Sequence, residues 1–491
     1  MIGDKLASLA KGTLYLTISQ AALMASGYII HISVGRFLGP ADYGVFGIIM
    51  SIMTLMNILF MTGIPQASSK FIATDKNVNK VIKTSLNLQI IFSVIVFCIY
   101  FLSSQIIADI LGDPELSKYI KISAFAIPMY ATYSVYGGFL NGFGSYGRQA
   151  SITIIHSIVK VVTVIVLILL GFAIYGAIIG HVLGPLIGTI IGWFLLRNIR
   201  KNSNIEDNNF SARKIIDFSL LITIFSFSLL FLTNIDLFFV KIFLDNVQTG
   251  YYTAASMLSK LPYAMLTGLG IALFPIISRC GNDMEQIRKY IRESMRYLIL
   301  ILIPITFIIS GSSKLLIEFV YSNRYVDASY SLEILMFGLA AFTVSNILMM
   351  IINAYGRPVI PVVMTIMLIP IIVGLNWILI PIYGLKGAAI ATTITGLFGL
   401  ILSSIYIIRL FGTFIDLISL IRIMFASFVV YGMALWVQVD IVILPLWYIF
   451  LFGIYIGILI LTKEFNKNDF KIITSIMDDL NNTVRKYIPE F

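Results

Sequence analysis

The segment GRFLGPADYG, residues 35–44, joins two strongly apolar runs and returns in altered form later in the chain. Its Gly-Pro pair is typical of a tight turn. The later copy lies 206 positions further on. The matched positions are Val34 with Val240, Phe37 with Phe243, Leu38 with Leu244, Gly44 with Gly250 and Phe46 with the aromatic Tyr252.

Two further matches follow in the same order, with offsets of 209 and 211 positions. They pair Tyr146-Gly147-Arg148 with Tyr355-Gly356-Arg357, and Gly176-Ala177 with Gly387-Ala388. A slowly growing offset is expected when a duplicated sequence acquires small insertions. We therefore interpret the chain as two homologous halves of about 200 residues each, comparable to the internal repeats of transporter folds.

The composition excludes a soluble globular protein. Hydrophobic residues make up 59% of the 491 residues and charged residues only 12%, whereas soluble domains contain roughly 25% charged residues. The two cysteines, Cys98 and Cys280, have neither the number nor the spacing of a disulfide framework or a metal site. The sequence therefore predicts a protein that crosses a membrane many times.

Fourteen apolar runs approach or exceed the length of about 20 residues that a membrane-spanning helix needs. They are residues 11–36, 42–64, 83–110, 118–142, 148–170, 174–197, 213–242, 249–278, 293–320, 329–354, 358–381, 384–411, 415–437 and 441–462. An open sheet would leave backbone groups unpaired in lipid. We therefore predict an all-α integral membrane fold with about 14 transmembrane helices.

Lys and Arg residues indicate the orientation. When the loops are assigned alternately to two sides, 25 of the 34 Lys and Arg residues fall on the side of the N-terminus, seven on the other side and two inside the runs. This asymmetry predicts a multi-pass protein of the cytoplasmic membrane with both termini in the cytoplasm. The net charge of +10 then reflects insertion and contact with anionic membrane lipids, and no nucleic-acid partner is expected.

The repeat predicts the domain organisation. Equivalent positions lie six spans apart, so the halves have the same orientation and form a parallel repeat around a central cleft. We predict an N-terminal lobe at 1–200, a cytoplasmic linker at 201–212, a C-terminal lobe at 213–411, two additional helices at 412–462 and an amphipathic cytoplasmic tail at 463–491. Residues 279–296, basic with apolar residues at near-helical spacing, predict an amphipathic helix on the cytoplasmic face.

Two lysines are candidates for binding an anion. Lys160 lies near the middle of the fifth run, too deep for its side chain to reach either membrane surface. Charges at such depth usually face a wet cavity or a partner, although an interhelical hydrogen bond would also account for Lys160. Lys260 lies in the eighth run beside Pro262, and extension of its side chain to the outer surface is the alternative interpretation.

Asp236 and Asn234, near the outer end of the seventh run, form a candidate polar site. Asp236 and Lys260 are close enough in the predicted topology to form an ion pair, which would either hold the fold or couple cation binding to movement. His156 precedes Lys160 by one helical turn and shares its face. It is a better candidate for a proton relay than His31 or His181, although lone histidines in membranes usually have only a structural role.

No known motif for nucleotide or metal chemistry occurs. The sequence contains neither a P-loop nor an HExxH motif. We therefore predict no cofactor and no metal. Movement would have to be driven by a Na⁺ or H⁺ gradient or by consumption of the product.

The stretch Arg36 to Phe46 resembles the first-loop signature of the Wzx-type polysaccharide flippases, a branch of the multidrug/oligosaccharidyl-lipid/polysaccharide (MOP) exporter superfamily. Later segments resemble further landmarks of that branch: Asn234-Ile235-Asp236, Gly250-Tyr251-Tyr252, Phe274-Pro275 and Gly384-Leu385-Lys386-Gly387-Ala388-Ala389. The superfamily's plan is fourteen helices, arranged as two six-helix lobes plus two further helices. The resemblance covers residues 5–462.

The resemblance implies a flippase rather than an enzyme. Its expected substrate is an oligosaccharide on a polyprenyl phosphate or pyrophosphate, moved from the cytoplasmic to the outer leaflet by alternating access for cell-surface polysaccharide or glycan biosynthesis. Lys160, Lys260 and Arg36 would contact phosphate or acidic sugar, and Asp236 would be a structural partner or a cation site. The expected partners are the lipid-linked oligosaccharide, membrane lipids and other polysaccharide-assembly proteins, with the chain itself a monomer.

Two alternative functions remain open. A drug or organic-cation antiporter of the MATE type would need acidic residues in the first-lobe cleft, and the central parts of the first six runs contain none. A membrane-embedded glycan polymerase or glycosyltransferase would need a large polar outer loop, and the predicted outer loops are short. Arg36 is the only basic residue of the first two runs beyond their cytoplasmic ends, which disfavours a peptidoglycan precursor as substrate.

Overall fold

The computed structural model describes residues 2–75, 77–200, 211–281, 283–437, 439–465 and 469, and all regular structure in these ranges is helical. The helices are α1 Ile2–Leu38, α2 Pro40–Met61, α3 Gly63–Thr74, α4 Val78–Leu102, α5 Ser104–Ile110, α6 Leu116–Ala124, α7 Ala126–Gly142, α8 Tyr146–Leu167, α9 Ala173–Arg200, α10 Ala212–Leu232, α11 Ile235–Phe243, α12 Asn246–Cys280, α13 Met284–Gly311, α14 Ser313–Val320, α15 Ser329–Ala354, α16 Val359–Tyr383, α17 Leu385–Phe411, α18 Leu417–Trp436 and α19 Leu444–Leu461. The predicted all-α class is confirmed.

Twelve of the described helical segments are long and apolar enough to cross a membrane. One of them, Tyr146–Arg197, contains α8 and most of α9 and so includes two of the predicted runs. The predicted run at 118–142 is divided between α6 and α7 at Phe125, so neither part alone is long enough to span. All fourteen predicted runs lie in helical segments, although several of them include two consecutive helices, and the chain is a multi-pass membrane protein.

The break between α10 and α11 follows from two polar residues, Thr233 and Asn234. The side-chain amide of Asn234 donates a hydrogen bond to the carbonyl of Leu230 at 2.7 Å. Thr233 donates to the carbonyl of Leu229 at 3.3 Å. Polar side chains that bond backbone carbonyls satisfy groups that an interrupted membrane helix would otherwise leave free. The end of α10 is thereby stabilised where the regular helix stops.

The turn between α1 and α2 has the geometry that its Gly-Pro pair predicts. Gly39 has a φ of 84°, a backbone conformation that glycine adopts readily. Pro40 is the first residue of α2, where a missing N–H is not needed for a helical hydrogen bond. The chain reverses here within a single residue between the two helices.

Residue contacts divide the chain into two units. The first unit comprises Met1–Leu258, Val320–Ser331 and Pro361–Thr395, and the second comprises Ser259–Phe319, Leu332–Ile360 and Gly396–Phe491. The lobes predicted at 1–200 and 213–411 were inferred from the repeat and stay a prediction, as do the two additional helices at 412–462 as a separate part. The predicted linker at 201–212 and tail at 463–491 lie almost entirely outside the described residues.

The second unit has a core built on the start of α13. Ile287, Ile291 and Met295 are fully buried there, packed with residues that include Ile351 and Phe411. The segment at 279–296 is thus amphipathic and largely helical, as expected. It is not a separate surface helix, however, because α13 continues without interruption from Met284 to Gly311.

In the second unit, a cluster of charged residues binds the segment that follows α19 to α13 and α18. Arg296 donates hydrogen bonds to the carboxylates of Glu464 at 2.7 Å and Asp469 at 3.0 Å. Arg422 also lies 3.5 Å from Glu464. Glu464 is only 2% exposed, so both arginines compensate a carboxylate that has lost nearly all its contact with water.

Candidate functional site

The buried face of α8 carries the two best candidate residues of the first unit. His156 and Lys160 are separated by one helical turn and lie on this face, whereas Ile158 and Val162 are exposed. The side chain of Lys160 is only 5% exposed. Lys160 therefore points into the protein and not toward the acyl chains that would surround the helix.

Glycines of α9 allow α8 to approach closely. A Cβ atom at Gly184 would lie 2.9 Å from the Cβ of Lys160 and 3.1 Å from the ring of His156. At Gly188, the added Cβ would lie 2.6 Å from the ring of Tyr133. Gly180 and Gly192 continue the same spacing of four residues and are equally close to their neighbours. Small residues at this spacing let membrane helices pack closely, and here they place Lys160 beside the rings of α7.

Aromatic and imidazole rings surround the two residues. The rings of Tyr133 and His156 are 4.7 Å apart. The hydroxyl of Tyr130 is hydrogen-bonded to Nε2 of His181 at 3.1 Å. Neither ring nitrogen of His156 has a hydrogen-bond partner among the described residues, although both are buried. A buried polar group without a partner is unusual and is expected at a site that receives a ligand or water.

These groups line a cavity of about 260 Å³ that we call the cationic cavity. Its lining residues are Leu23, Gly27, Ile30, His31, Phe46, Met50, Thr54, Asn57, Ile58, Met61, Tyr130, Tyr133, His156, Lys160, His181 and Met257. No carboxylate belongs to this set. Within the described residues, Lys160 also forms no salt bridge, so its ammonium group is available to an anionic ligand.

Residues of the segment 35–44 pack against residues of its predicted copy. A Cβ atom at Gly44 would meet the carbonyl oxygen of Asn246, and a Cβ at Gly250 would meet that of Pro40. Asn246 lies 206 positions after Pro40, and Gly250 lies 206 positions after Gly44. Each glycine therefore contacts the residue that corresponds to the other glycine's partner, so the contact is reciprocal. All four residues belong to the first unit.

Hydroxyl groups link the cationic cavity to this region. His31, which lines the cavity, is hydrogen-bonded through Nδ1 to the hydroxyl of Tyr43 at 3.0 Å. The hydroxyls of Tyr43 and Tyr321 are also 3.0 Å apart. Tyr325 donates to the carbonyl of Gly35 at 2.7 Å. The Gly35 end of α1 is thus tied to residues 321–325 of the same unit.

Arg36 and Asp236, two of the predicted site residues, have protein partners. Nε of Arg36 donates to the carbonyl of Val320 at 2.7 Å, and Arg36 does not line the cationic cavity. The carboxylate of Asp236, only 2% exposed, accepts hydrogen bonds from Tyr252 at 2.6 Å and Thr392 at 2.9 Å. These hydroxyls stabilise a buried carboxylate at the start of α11.

Lys260 is half-buried in α12 and belongs to the second unit. Its predicted pairing with Asp236, and the predicted roles of Arg36, Lys260, Asp236, Asn234 and His156, stay predictions. The structure brings His156, Lys160, His31 and His181 together around one cavity.

Sequence reasoning missed an ion pair in the first unit. Lys241 of α11 lies 2.9 Å from the carboxylate of Asp113, which also accepts a hydrogen bond from Asn246 at 3.2 Å. Burial alone would raise the pKa of Asp113, but the hydrogen bonds from Lys241 and Asn246 and the charge of Lys241 together lower it. No sequence signal connects residues 128 positions apart. The glycine series of α9, in contrast, is visible in the sequence.

Comparison with known proteins gives three kinds of match. The model of a family described as polysaccharide biosynthesis protein matches residues 34–330. The probable low-salt glycan biosynthesis flippase Agl15 of Haloferax volcanii is 23% identical over 364 residues, 73% of this chain and 75% of that protein. The lipid II flippase MurJ, in an inward closed conformation, superposes with a TM-score of 0.71 at 15% identity, covering 92% of this chain and 98% of that one. An inward-facing MATE multidrug resistance transporter of the MOP superfamily gives a TM-score of 0.69 at 16% identity, covering 82% and 99%.

Proposed function

The chain belongs to the polysaccharide biosynthesis protein family, and from this premise we propose that it is a flippase for a lipid-linked glycan. The substrate is an oligosaccharide attached to a polyprenyl phosphate or pyrophosphate. The protein moves the head group from the cytoplasmic to the outer leaflet, while the lipid tail stays in the membrane. It makes and breaks no covalent bond and is therefore a transporter, not an enzyme.

The observation that carries this proposal is the chemistry of the cationic cavity. Lys160 offers an ammonium group with no salt-bridge partner, and His156 offers two ring nitrogens without partners, among the described residues. Phosphate oxygens accept hydrogen bonds, and the ammonium group of a lysine and the single N–H of a neutral imidazole donate them. An anion is therefore stabilised in this cavity, whereas an organic cation would be repelled by Lys160 and would find no carboxylate in the lining.

Transport requires the cavity to open to each side in turn. We assign the Gly39 turn to the outer surface, following the distribution of Lys and Arg. The contacts of Gly44 with Asn246 and of Tyr43 with Tyr321 then close the outer end of the first unit. Opening to the outside separates these groups, and Arg36, released from Val320, becomes a further phosphate contact.

Lys260 is proposed as a second cation on the substrate path, and Asp236 as a structural partner or a cation site in the coupling step. A Na⁺ or H⁺ gradient, or consumption of the glycan outside, supplies the driving force. The protein acts in the cytoplasmic membrane as a monomer, with both termini in the cytoplasm. Membrane lipids and other polysaccharide-assembly proteins are its proposed partners.

The test is reconstitution into liposomes with a fluorescent polyprenyl-phosphate oligosaccharide, whose transbilayer movement is followed by chemical quenching of the outer leaflet. Wild-type protein should accelerate movement over protein-free vesicles. Lys160→Met keeps the length of the side chain and removes its charge, so the rate should fall at least about tenfold, as expected for loss of a charge-assisted contact. Lys121→Met, at an exposed lysine, is the matched control. Absence of acceleration by wild-type protein would exclude the proposed function, and full activity of Lys160→Met would exclude the role of the cavity.

A further inference from the structure

A second cavity of about 340 Å³ adjoins the cationic cavity in the first unit. We call it the amide cavity. Its lining residues are Gln20, Leu23, Met61, Pro65, Gln66, Ser69, Tyr133, Ser134, Gly137, Gly138, Asn141, Gln149, Ile152 and Thr153. Leu23, Met61 and Tyr133 line both cavities, so the two spaces are neighbours.

The amide cavity is polar but contains no charged side chain in its lining. It collects four carboxamides, those of Gln20, Gln66, Asn141 and Gln149. The Oε1 atom of Gln149 is buried and has no hydrogen-bond partner among the described residues. A buried carbonyl oxygen without a partner destabilises the folded protein unless water or a ligand donates a hydrogen bond to it. The cavity is therefore suited to a ligand that carries hydrogen-bond donors.

The type of polar group limits the type of ligand. A carboxamide has both an acceptor oxygen and a donor NH₂ group, and a hydroxyl has both functions too. Sugar hydroxyls also donate and accept, so they match carboxamides and hydroxyls on both counts. A carboxylate or phosphate only accepts, and in this cavity it would find no cation to offset its loss of hydration.

Residues of α8 connect the two cavities along one face. Gln149 and Thr153 line the amide cavity, and His156 and Lys160 line the cationic cavity. Tyr133 lies between the two sets, because its hydroxyl donates to Thr153 at 3.2 Å while its ring is 4.7 Å from that of His156. Lys160 follows Gln149 by 11 positions, which corresponds to about 16 Å along a helix at 1.5 Å per residue. This length is comparable to that of a phosphate group followed by one or two sugar rings.

We propose that the amide cavity is the binding site for an uncharged sugar of the transported head group, and that it makes the protein select neutral over acidic sugars next to the phosphate. The proposal rests on the proposed function and deepens it, since it assigns phosphate to the cationic cavity and sugar to the amide cavity. A Cβ atom added at Gly137 would meet no neighbouring atom within 4 Å, so space for a sugar ring remains beside this residue.

The experiment uses three NBD-labelled farnesyl phosphates in liposomes: the bare phosphate, its N-acetylglucosamine derivative and its glucuronic acid derivative. Flipping rates are measured for wild-type protein and for Gln149→Leu and Gln66→Lys. Gln149→Leu should slow the N-acetylglucosamine probe about three- to tenfold, the effect of one or two lost hydrogen bonds, and leave the bare phosphate within about twofold. Gln66→Lys should shift the preference from the N-acetylglucosamine probe to the glucuronic acid probe.

Two further variants make the result independent of one side chain. Gly137→Leu fills the amide cavity from a position with free space, so it should slow the N-acetylglucosamine probe selectively, as Gln149→Leu does. Gln105→Leu, at an exposed glutamine outside both cavities, is the control and should change none of the rates. If wild-type protein flips the probes but the cavity variants affect all three alike, the amide cavity is only a water-filled vestibule and the inference is wrong. If wild-type protein accelerates no probe, the proposed function fails and the inference fails with it.

Discussion

Gly44 of α2 and Gly250 of α12 lie against each other, so that a Cβ atom added to Gly44 would come within 2.7 Å of the backbone nitrogen of Gly250. The two glycines lie 206 positions apart, which is the offset of the predicted internal repeat. Backbone meets backbone at this point, and any side chain at either position would force the two helices apart.

Gly250→Ala is therefore expected to weaken the contact between α2 and α12. The added methyl group would overlap the carbonyl of Pro40, and overpacking of this kind costs about 1–3 kcal/mol or more. We expect a lower thermal unfolding midpoint and a lower flipping rate in liposomes. Gly374→Ala, at a helical glycine of the same unit with free space around it, should leave both unchanged. Wild-type behaviour of Gly250→Ala would show that the two backbones are not in contact.

Tyr43→Phe is expected to break the hydroxyl chain between the cationic cavity and Tyr321. The substitution keeps the buried ring but leaves Nδ1 of His31 and the hydroxyl of Tyr321 without this partner. Loss of a buried hydrogen-bonded group costs about 1–3 kcal/mol, so the unfolding midpoint should fall. A cysteine introduced at Val320, the residue before Tyr321, should also react faster with a water-soluble thiol reagent. Tyr383→Phe, at an exposed tyrosine, should change neither value. Equal labelling rates would indicate that the hydroxyls do not hold this end closed.

The Asp113–Lys241 pair predicts a specific acid sensitivity. The folded-state pKa of Asp113 is lowered, so its contribution to stability is present in full above its unfolded value of about 3.9 and is lost as the pH falls through the lower folded value. Unfolding midpoints measured from pH 3 to pH 7 should therefore fall at the acid end in the wild type. Asp113→Asn should be less stable near neutral pH and should show a smaller acid-dependent decrease.

Asp327→Asn is the matched control for the pH series, because Asp327 is exposed. It should follow the wild-type curve at every pH. Superimposable curves for wild type and Asp113→Asn would show that the ion pair does not contribute to folding.

Arg296→Met is expected to be one of the most destabilising substitutions in the second unit. It leaves the buried carboxylates of Glu464 and Asp469 without their main cation. Removing one partner of a buried ion pair typically costs about 3–5 kcal/mol. A large drop in the unfolding midpoint is expected, with partial recovery when Glu464→Gln is added, because that change removes one uncompensated charge. Arg409→Met, at an exposed arginine, should have little effect. A midpoint close to wild type for Arg296→Met alone would contradict the buried network.

Much of the fold could be predicted from the sequence because the membrane imposes a simple rule. Each apolar run of sufficient length has to be helical, and all fourteen runs lie in helical segments. The sequence did not predict where helices break, as at Phe125 and Ser312, because hydropathy averaged over a run does not mark a break inside it. It also suggested a separate amphipathic helix where α13 is continuous.

The candidate site was only partly predictable. The depth of Lys160 in an apolar run and its one-turn spacing from His156 identified two neighbouring cavity residues. The surrounding carboxamides were not recognised, because Gln20, Gln66 and Gln149 come from three helices and have no common spacing. Tertiary contacts over such separations, like the one between Asp113 and Lys241, leave no local pattern in a single sequence.

The reciprocal packing of Pro40 with Gly250 and of Gly44 with Asn246 has an implication for the origin of the chain. In an isologous two-fold interface, the same pair of residues makes contact twice, once in each direction across the interface. The two contacts described here have this pattern. A polypeptide of half this length carrying the same loop could therefore have associated with an identical copy of itself. In this light the two predicted halves of the chain meet at this point through a self-complementary surface, as two copies of one subunit would.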